Sequence, residues 1–365
     1  MLLQQQQELE NHYLMDTYKR KPVAFVKGEG MRLYDEDGTE YLDFLAGVGA
    51  ASLGYGNAQQ VQAMQEQVAK LVHASNYYYV EGRGELAEKL NNLLNENPGA
   101  TRKELWKTFF ANSGTEAIEG AIKIARKYGA KHLEGADTII TARRSFHGRT
   151  LAALAATGQP SKQEAFQPLP EGFKHVDLND IPAIKQALNQ GVGCINACAV
   201  LLECVQGEGG VYPCTEEYLQ TVRELPAAKG ILLIIDEVQT GFYRTGSHPF
   251  AFQHYGIVPD VVAMAKGIGG GMPMGAVAAR GVAAAVFEPG DHGSTFGGNS
   301  LAITAANATL DGLQKMDAAG HVAEVGAYLM QRLRELPGVV EIRGKGLMVG
   351  VEFEKAVAEQ IVAAG

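Results

Sequence analysis

The sequence predicts an α/β fold built on a mostly parallel, doubly wound sheet, and two observations carry this prediction. Short unbroken apolar runs recur along the chain, the clearest at 231–235 and 261–265, as expected for strands that are buried on both faces. Stretches with helical spacing alternate with these runs, which is typical of parallel sheets. Beyond Gly298 this rhythm changes, so we expect a second, smaller α+β part that is completed by the amino-terminal hairpin.

The amino-terminal stretch predicts a polar helix over residues 1 to about 20, followed by two short strands between Val23 and Leu45. Asp37-Gly38 is a strong signal for the turn that joins these strands. A glycine-rich loop follows at 47–56. Helical spacing then returns in two segments, 61–72 and 85–94.

The next stretch predicts a strand at 107–111, a short turn, and a helix that runs to Tyr128 and is capped by Gly129. Backbone N–H groups at a helix start are free to bind an anion, and the helix dipole favours negative charge there. Ser113, Gly114 and Thr115 are therefore candidates for phosphate binding. A plain helix N-cap is the commoner reading of such a turn, and it stays open on these residues alone.

The remaining elements are strands at 137–141 and 199–203, helices near 218–225, 302–313 and 321–335, and strand alternation over 341–353. We expect three segments: 1–60 as part of a small domain, 61–300 as the large domain, and 301–365 as the rest of the small domain.

Composition excludes several classes of protein. The 365 residues are 46% hydrophobic and 20% charged with a net charge of −9, which disfavours nucleic-acid binding and anionic membranes. No apolar stretch has membrane-spanning length, and no secretory signal is recognised. Cys194, Cys198, Cys204 and Cys214 lack paired zinc-site spacing, so we expect reduced thiols in a cytoplasmic protein and no metal site.

Two charged residues end neighbouring predicted strands, Asp236 after 231–235 and Lys266 after 261–265. Ligands of open α/β sheets bind beyond the carboxyl ends of strands, so both side chains should face one crevice. A lysine amine and a buried carboxylate are what pyridoxal phosphate requires, because the amine binds its aldehyde and the carboxylate keeps its ring nitrogen protonated. A buried ion pair or two solvated strand ends is the alternative.

Three further turns carry candidate residues. Phe146 could stack on a flat ring, and Arg149 could bind a carboxylate with both arms of its guanidinium, whereas His147 alone reads as structural. Glu203 ends the strand at 199–203 and Glu208 lies in the turn after it, where a carboxylate could pair with an arginine. Hydroxyls and a second arginine stand in two glycine-rich turns: Ser294, Thr295 and Arg343.

Two other cofactor motifs are missing from the sequence. No G-x-x-x-x-G-K-[ST] occurs, and the glycines at 267–271 lack the strand and helix context of a dinucleotide fingerprint.

Together these motifs resemble the class III pyridoxal-phosphate-dependent aminotransferases. The resemblance runs from about Tyr18 to the last residues and rests on segments that occur in the family's order: 110–117, 146–150, 205–210, 236–241, 265–267 and 293–299. It implies a fold-type-I transferase that binds pyridoxal 5′-phosphate. The stretch 148–158 is most similar to the members that act on N2-acetyl-L-ornithine.

The resemblance also implies roles for individual residues. Lys266 would bind the cofactor, Asp236 its ring nitrogen, and Gln239 would approach its phenolic oxygen. Phe146 and Val238 would lie on the two faces of the ring. The phosphate would be held by Ser113, Gly114 and Thr115, and by Thr295 from the partner subunit of a homodimer.

For the substrates, the resemblance implies that Arg149 and Ser294 hold the acetylornithine end and that Arg343 holds the α-carboxylate of glutamate or 2-oxoglutarate. Glu208 would control which substrate binds. The expected reaction is amino transfer from N-acetylornithine to 2-oxoglutarate in arginine biosynthesis. Succinyl-diaminopimelate, ornithine or 4-aminobutyrate as donor, an aminomutase, and an inactive cofactor-binding chain remain alternatives.

Two departures from the family pattern stand out. The chain reads Leu53-Gly-Tyr-Gly-Asn-Ala58 where the family usually has histidines and a proline. Family members also continue further beyond the position of Gly365, so we expect a small domain that is shorter than theirs.

Overall fold

The computed structural model describes residues 2–98, 103–189 and 196–364. In chain order, its strands are β1 (Phe25–Glu29), β2 (Arg32–Asp35), β3 (Glu40–Leu42), β4 (Trp106–Ala111), β5 (Thr138–Ala142), β6 (Phe173–Val176), β7 (Ala197–Leu202), β8 (Val205–Gln206), β9 (Tyr212–Pro213), β10 (Leu232–Asp236), β11 (Val261–Met264), β12 (Gly275–Arg280), β13 (Val339–Lys345) and β14 (Met348–Phe353).

The helices alternate with the strands over the middle of the chain. They are α1 (Leu2–Tyr13), α2 (Ala46–Gly49), α3 (Ala58–Lys70), α4 (Arg83–Leu94), α5 (Gly114–His132), α6 (Leu151–Ala156), α7 (Pro160–Gln163), α8 (Ile181–Asn189), α9 (Glu216–Ala228), α10 (Ser300–Lys315), α11 (Ala318–Arg334) and α12 (Ala358–Ala364). Single 3-10 turns lie at Glu164–Phe166, Ala251–Tyr255, Lys266–Gly269 and Ala283–Ala285.

Seven strands form the main sheet in the order β4-β12-β11-β10-β7-β5-β6. Strand β12 runs antiparallel to both of its neighbours, and every other pair in the sheet is parallel. The prediction of a mostly parallel sheet is confirmed. Because β12 is antiparallel to both β4 and β11, those two strands point the same way and end at the same edge of the sheet.

The central strand β10 explains why the sequences of the predicted strands are unbroken apolar runs. Successive side chains of a strand point to opposite faces. Leu233 and Ile235 belong to one buried core cluster, whereas Leu232 and Ile234 belong to a second cluster that includes residues of helix α5. Helices therefore cover both faces of the sheet, and no position of β10 can be polar until the strand ends at Asp236.

Three local expectations differ from the structure. Helix α5 continues past Gly129 to His132, and a Cβ atom at this buried glycine would stand 1.9 Å from the carbonyl oxygen of Ala136. The glycine therefore permits close packing and does not cap the helix. The amino-terminal stretch contains three strands instead of two, and Asp37-Gly38 connects β2 to β3. Helix α2 is a single left-handed turn, with φ of 60° at both Gly47 and Val48.

The two ends of the chain form separate small sheets, β1-β2-β3 and the hairpin β13-β14. Helix α11 and strand β9 pack against β13. The expected boundaries at residues 60 and 300, and the joining of both chain ends in one small domain, stay predictions.

Cys198, Cys204 and Cys214 are buried free thiols, and Cys194 lies outside the described residues. Within the described ranges, no helix combines the length and apolar character that crossing a membrane requires. The same ranges contain no cluster of three or more His, Cys, Asp or Glu side chains arranged to hold a metal ion.

Candidate active site

The carboxyl ends of β4, β5, β7, β10 and β11 meet at one edge of the main sheet, where a cavity of about 420 Å³ opens. This is the place at which open α/β sheets bind ligands. Most of the site residues predicted from the sequence line this cavity: Ser113, Gly114, Thr115, Phe146, Arg149, Glu208, Asp236, Val238, Gln239 and Lys266.

Lys266 begins a 3-10 turn directly after β11 and has φ of 46°, a left-handed conformation that is strained for a side chain of this size. Burial lowers the pKa of its amine, although the negative charges of Asp236, Glu208 and Glu203 act in the opposite direction. A lowered pKa increases the share of neutral amine, which is the nucleophilic form.

Asp236 is buried and held by two neighbours. His147 Nδ1 lies 2.8 Å from its Oδ2 atom, and the backbone N–H of Val238 donates to its Oδ1 atom at 3.0 Å. Burial alone would lower the pKa of His147, but the hydrogen bond and the charge of Asp236 outweigh burial and raise it. The two contacts fix the carboxylate in one orientation.

Sequence reasoning gave His147 only a structural role, and the contact with Asp236 shows what that reasoning missed. A buried carboxylate needs hydrogen-bond donors, so a histidine on a loop at the same sheet edge was the available signal. The Nε2 atom of His147 is also buried and has no hydrogen-bond partner within the described part of the chain.

Glu203 ties two loops of the site together. Its carboxylate accepts the backbone N–H of Phe146 at 3.0 Å and that of Gly207 at 3.3 Å. Burial raises its pKa to about 7. The sequence had suggested Glu203 only as one of two possible partners for an arginine, whereas here it fixes the backbone of the loops that carry Phe146 and Glu208.

Ser113, Gly114 and Thr115 surround the start of helix α5. The Ser113 hydroxyl accepts the backbone N–H of Glu116 at 3.3 Å, so this serine is an N-cap, as the alternative reading held. All three residues nevertheless line the cavity. The first N–H groups of a helix have no intrahelical partner, which suits an anion. An added Cβ at Gly114 would lie 2.7 Å from Val238, so glycine is required there.

Two more predicted site residues, Val238 and Gln239, pack closely against glycines. Val238 and Gln239 belong to the turn that follows Asp236, and both line the cavity. The Gln239 side-chain oxygen lies only 1.5 Å from where a Cβ of Gly207 would stand, so Gly207 leaves room for this amide.

Charged side chains stand around Phe146 at the mouth of the cavity. The guanidinium carbon of Arg149 and the amine of Lys162 each lie 5.7 Å from the Phe146 ring centre, and Arg149 is exposed. Glu208 lines the cavity as well. An accessible cation beside an apolar ring can receive the carboxylate of a small substrate.

Three predicted site residues lie outside this cavity. Ser294 and Thr295 line a separate cavity of about 360 Å³, although Ser294 Oγ accepts a hydrogen bond from Asn112, which borders both cavities. Arg343 is on β13, where its Nη1 atom donates to Glu341 at 2.9 Å and to Glu352 at 2.7 Å. The roles assigned to these three residues stay predictions.

The lining residues fit pyridoxal phosphate. Lys266 offers an amine of lowered pKa, and Asp236 is a buried carboxylate whose orientation His147 fixes. Ser113, Gly114 and Thr115 line the cavity at the start of α5, where a helix N-terminus suits a phosphate. When bound, this cofactor supplies an electron sink for bonds at an amino-bearing carbon.

The fold and this site define a pyridoxal-phosphate-dependent aminotransferase. The sequence profile of the class-III aminotransferases matches residues 14–365, and the chain belongs to that family. It is 45% identical over 355 residues to an acetylornithine aminotransferase of Aquifex aeolicus, covering 96% of this chain and 89% of that protein. It is 48% identical over 358 residues to an acetylornithine aminotransferase of Caldanaerobacter subterraneus, covering 97% and 87%.

Solved structures agree with this assignment. The ornithine aminotransferase of Toxoplasma gondii has a TM-score of 0.88 at 32% identity and covers 96% of this chain and 82% of its own. A second structure of that enzyme has the cofactor at partial occupancy in its active site. The acetylornithine aminotransferase of Elizabethkingia anophelis has a TM-score of 0.80 at 32% identity, with 97% and 85% covered.

Proposed function

We propose that this chain transfers the terminal amino group of N2-acetyl-L-ornithine to 2-oxoglutarate, giving N-acetylglutamate 5-semialdehyde and L-glutamate in arginine biosynthesis. One observation carries the choice of substrate: proteins named acetylornithine aminotransferase are 45% and 48% identical to it over nearly its whole length. The cavity supports the choice, because the exposed Arg149 and Lys266 both line it.

Within this function, Lys266 would hold the cofactor through its amine. The same amine, whose pKa burial lowers, would move the proton at the substrate carbon. Asp236 keeps the ring nitrogen protonated, and His147 maintains the orientation of Asp236. Val238 and Phe146 enclose the ring, while Ser113, Gly114 and Thr115 receive the phosphate.

The substrate contacts follow the same proposal. Arg149 and Ser294 bind the acetylornithine end, and Arg343 binds the α-carboxylate of glutamate or 2-oxoglutarate. Glu208 lines the cavity near Lys266 and influences which substrate is accepted.

We also propose a homodimer in which the partner subunit's Thr295 completes the phosphate site. Thr295 lies outside the cavity of its own chain, and Phe44, Tyr77 and Tyr79 are almost fully exposed. Exposed aromatic groups of this kind are typical of protein interfaces. Three buried free thiols favour the cytoplasm as the compartment.

The shared site can be tested by subunit exchange. Lys266→Ala and Thr295→Val are each expected to be inactive or severely impaired alone. A hybrid dimer of the two contains one site with both wild-type residues, so activity should return on mixing. If exchanged subunits stay inactive while each variant is folded and dimeric, the site is not shared.

The visible spectrum of the cofactor-loaded enzyme tests the reaction. N-acetylornithine should change the absorbance band of the bound cofactor, and 2-oxoglutarate should restore it. Restoration without any acceptor would indicate an aminomutase. A band that ignores N-acetylornithine and responds to another amine would contradict the proposed donor.

Ornithine is the second candidate donor, because several solved structures that resemble this chain are ornithine aminotransferases. Their identity of 28–32% is lower than the 45% and 48% of the acetylornithine aminotransferases of Aquifex aeolicus and Caldanaerobacter subterraneus. A comparison of kcat/KM for ornithine and N-acetylornithine ranks the two donors directly.

A further inference from the structure

A glycine-rich turn follows Lys266 and leads into the wall of the cavity. Lys266 begins the 3-10 turn Lys266–Gly269, and residues 271–274 line the cavity. Lys266 has φ of 46°, which a residue with a long side chain keeps only when the surrounding structure holds it there. Glycines cannot hold a turn in this way, because their backbone is freer than that of any other residue. The contacts that fix the turn must therefore come from outside it.

Gln60 of helix α3 supplies two of these contacts. Its Nε2 atom lies 3.3 Å from the carbonyl oxygen of Gly269, 3.3 Å from that of Gly270 and 3.0 Å from Thr309 Oγ1. Only 7% of Gln60 is exposed. A buried amide costs free energy unless it is hydrogen-bonded, so these three acceptors define where its NH2 group must lie.

Thr309 fixes the orientation of this amide. Its hydroxyl donates to the carbonyl oxygen of Ala305 at 2.7 Å, so toward Gln60 it can only accept. The amide nitrogen, and not the amide oxygen, therefore faces the turn. An added Cβ at Gly270 would lie 2.4 Å from Gln60 Nε2 and 2.4 Å from Thr309 Oγ1, so this close approach requires a glycine.

A second side chain holds the other end of the same turn. Ser52 Oγ donates to the carbonyl oxygen of Gly267 at 3.0 Å. Gln60 and Ser52 thus bind carbonyl groups at both ends of the turn that Lys266 begins. Neither side chain lines the catalytic cavity, so both act on it only through the backbone of the turn.

We infer that Gln60 is a positioning residue for Lys266, because its amide holds the turn that keeps the lysine amine at the cavity. The inference rests on the proposed role of Lys266 as the group that binds the cofactor. Gln60 also joins helix α3 to helix α10, which carries Thr309. A residue that only joined these helices would affect stability and would leave the amine of Lys266 unchanged.

The test is the pH dependence of Lys266 labelling in the full chain before cofactor is added. Acetic anhydride reacts with neutral amines, and mass spectrometry of the peptide that contains Lys266 gives the pH midpoint of labelling. Gln60→Met has a side chain of similar length without a donor, so the turn should loosen and water should reach the amine. Because burial lowers the pKa of Lys266, the midpoint should rise by about 0.5 to 1 pH unit. The charges that act on this amine are the same in both chains: Asp236, Glu208, Glu203 and Arg244.

Kinetics of the cofactor-loaded enzyme give a second measurement. In Gln60→Met, kcat should fall roughly two- to tenfold, the effect of losing about one hydrogen bond. The KM for N-acetylornithine should change by less than about twofold, because Gln60 does not line the cavity.

Two further variants make the outcome decisive. Gln62→Met alters an exposed glutamine of the same helix, bonded to Glu66, and should match wild type in both measurements. Ser52→Ala removes the bond to Gly267 and should raise the labelling midpoint by a smaller amount. Ser52→Ala replaces Gln60→Met as the test of the turn if the latter chain does not fold.

An unchanged labelling midpoint in Gln60→Met, whatever the stability of that chain, would overturn the inference and leave Gln60 a residue of helix packing. Labelling of wild-type Lys266 that is equally fast with bound cofactor would overturn the proposed role of that lysine. Failure of the proposed donor shows itself differently: wild type does not consume N-acetylornithine, while the midpoints of wild type and Gln60→Met still differ.

Discussion

The carboxyl edge of the main sheet and the segments near the chain ends contribute to the site in different ways. Every residue of β10 and β11 is buried, and the two charged groups that follow or end these strands line one cavity. Strand β1 is mostly exposed, and β13 is at most half-buried. Arg343 of β13 contacts glutamates of its own hairpin instead of lining the cavity.

This difference shows what determines the position of each functional residue. At the sheet edge, strand order and direction alone bring Asp236 and Lys266 together, so their place follows from the backbone. Ser294, Thr295 and Arg343 lie outside the cavity, and their proposed roles require a substrate or another chain. Substitutions at the sheet edge are therefore expected to have larger effects than substitutions at the periphery.

The largest effect is expected at Lys266. Lys266→Ala removes the amine that we propose binds the cofactor and moves the proton, so kcat should fall by at least about 10⁴-fold. Lys266→Arg keeps a positive charge but offers no neutral amine, and it should be equally inactive. Turnover and the absorbance band of the bound cofactor measure both; substantial turnover in either variant would falsify the assignment of Lys266.

A smaller effect is expected at His147, which acts through Asp236. A hydrogen bond to a charged group contributes about 1.5–3 kcal/mol, so His147→Phe should lower kcat/KM by about one to two orders of magnitude. The exposed His321 provides a matched control, and His321→Asn should have wild-type kinetics. If both variants behave alike, the 2.8 Å contact has no part in the reaction.

The fold and most of the cavity could be predicted because strand periodicity and chain order are local properties of the sequence. The runs at 231–235 and 261–265 became β10 and β11 almost unchanged. The prediction for Gly129 was wrong, because the sequence does not distinguish a glycine that caps a helix from one that permits close packing. The contact with Ala136 that distinguishes them is seen only in the folded structure. The surroundings of Arg343 could not be predicted from the sequence either, because the pairing of Glu341 with Glu352 depends on the register of the hairpin.

A third prediction concerns Glu237, a buried carboxyl next to Asp236. Burial raises the pKa of Glu237 to about 7 from its usual 4.5, although Thr240 and the N–H of Phe252 donate to it. A carboxyl whose pKa is raised in the folded state lowers the free energy of unfolding as pH rises from 4.5 to 7, by about 3 kcal/mol at most. Glu237→Gln should therefore gain stability relative to wild type over that range.

Urea midpoints at pH 5 and pH 7.5 measure this gain for Glu237→Gln, with Glu335→Gln as an exposed control. The control should show the pH dependence of the wild type. The prediction is wrong if Glu237→Gln and wild type lose stability in parallel, which would mean that Glu237 stays ionised in the folded protein.

The smallest effect is expected in the amino-terminal sheet. Arg32 Nε lies 2.8 Å from Glu40 Oε1, and both side chains are about half exposed, at 49% and 50%. Exposed ion pairs contribute little to stability, so a double-mutant cycle of Arg32→Gln and Glu40→Gln should give no measurable coupling energy. A clearly larger coupling would mean that another chain shields this hairpin from water. The difference between the buried sheet edge and the exposed periphery would then hold for the single chain but not for the assembled protein.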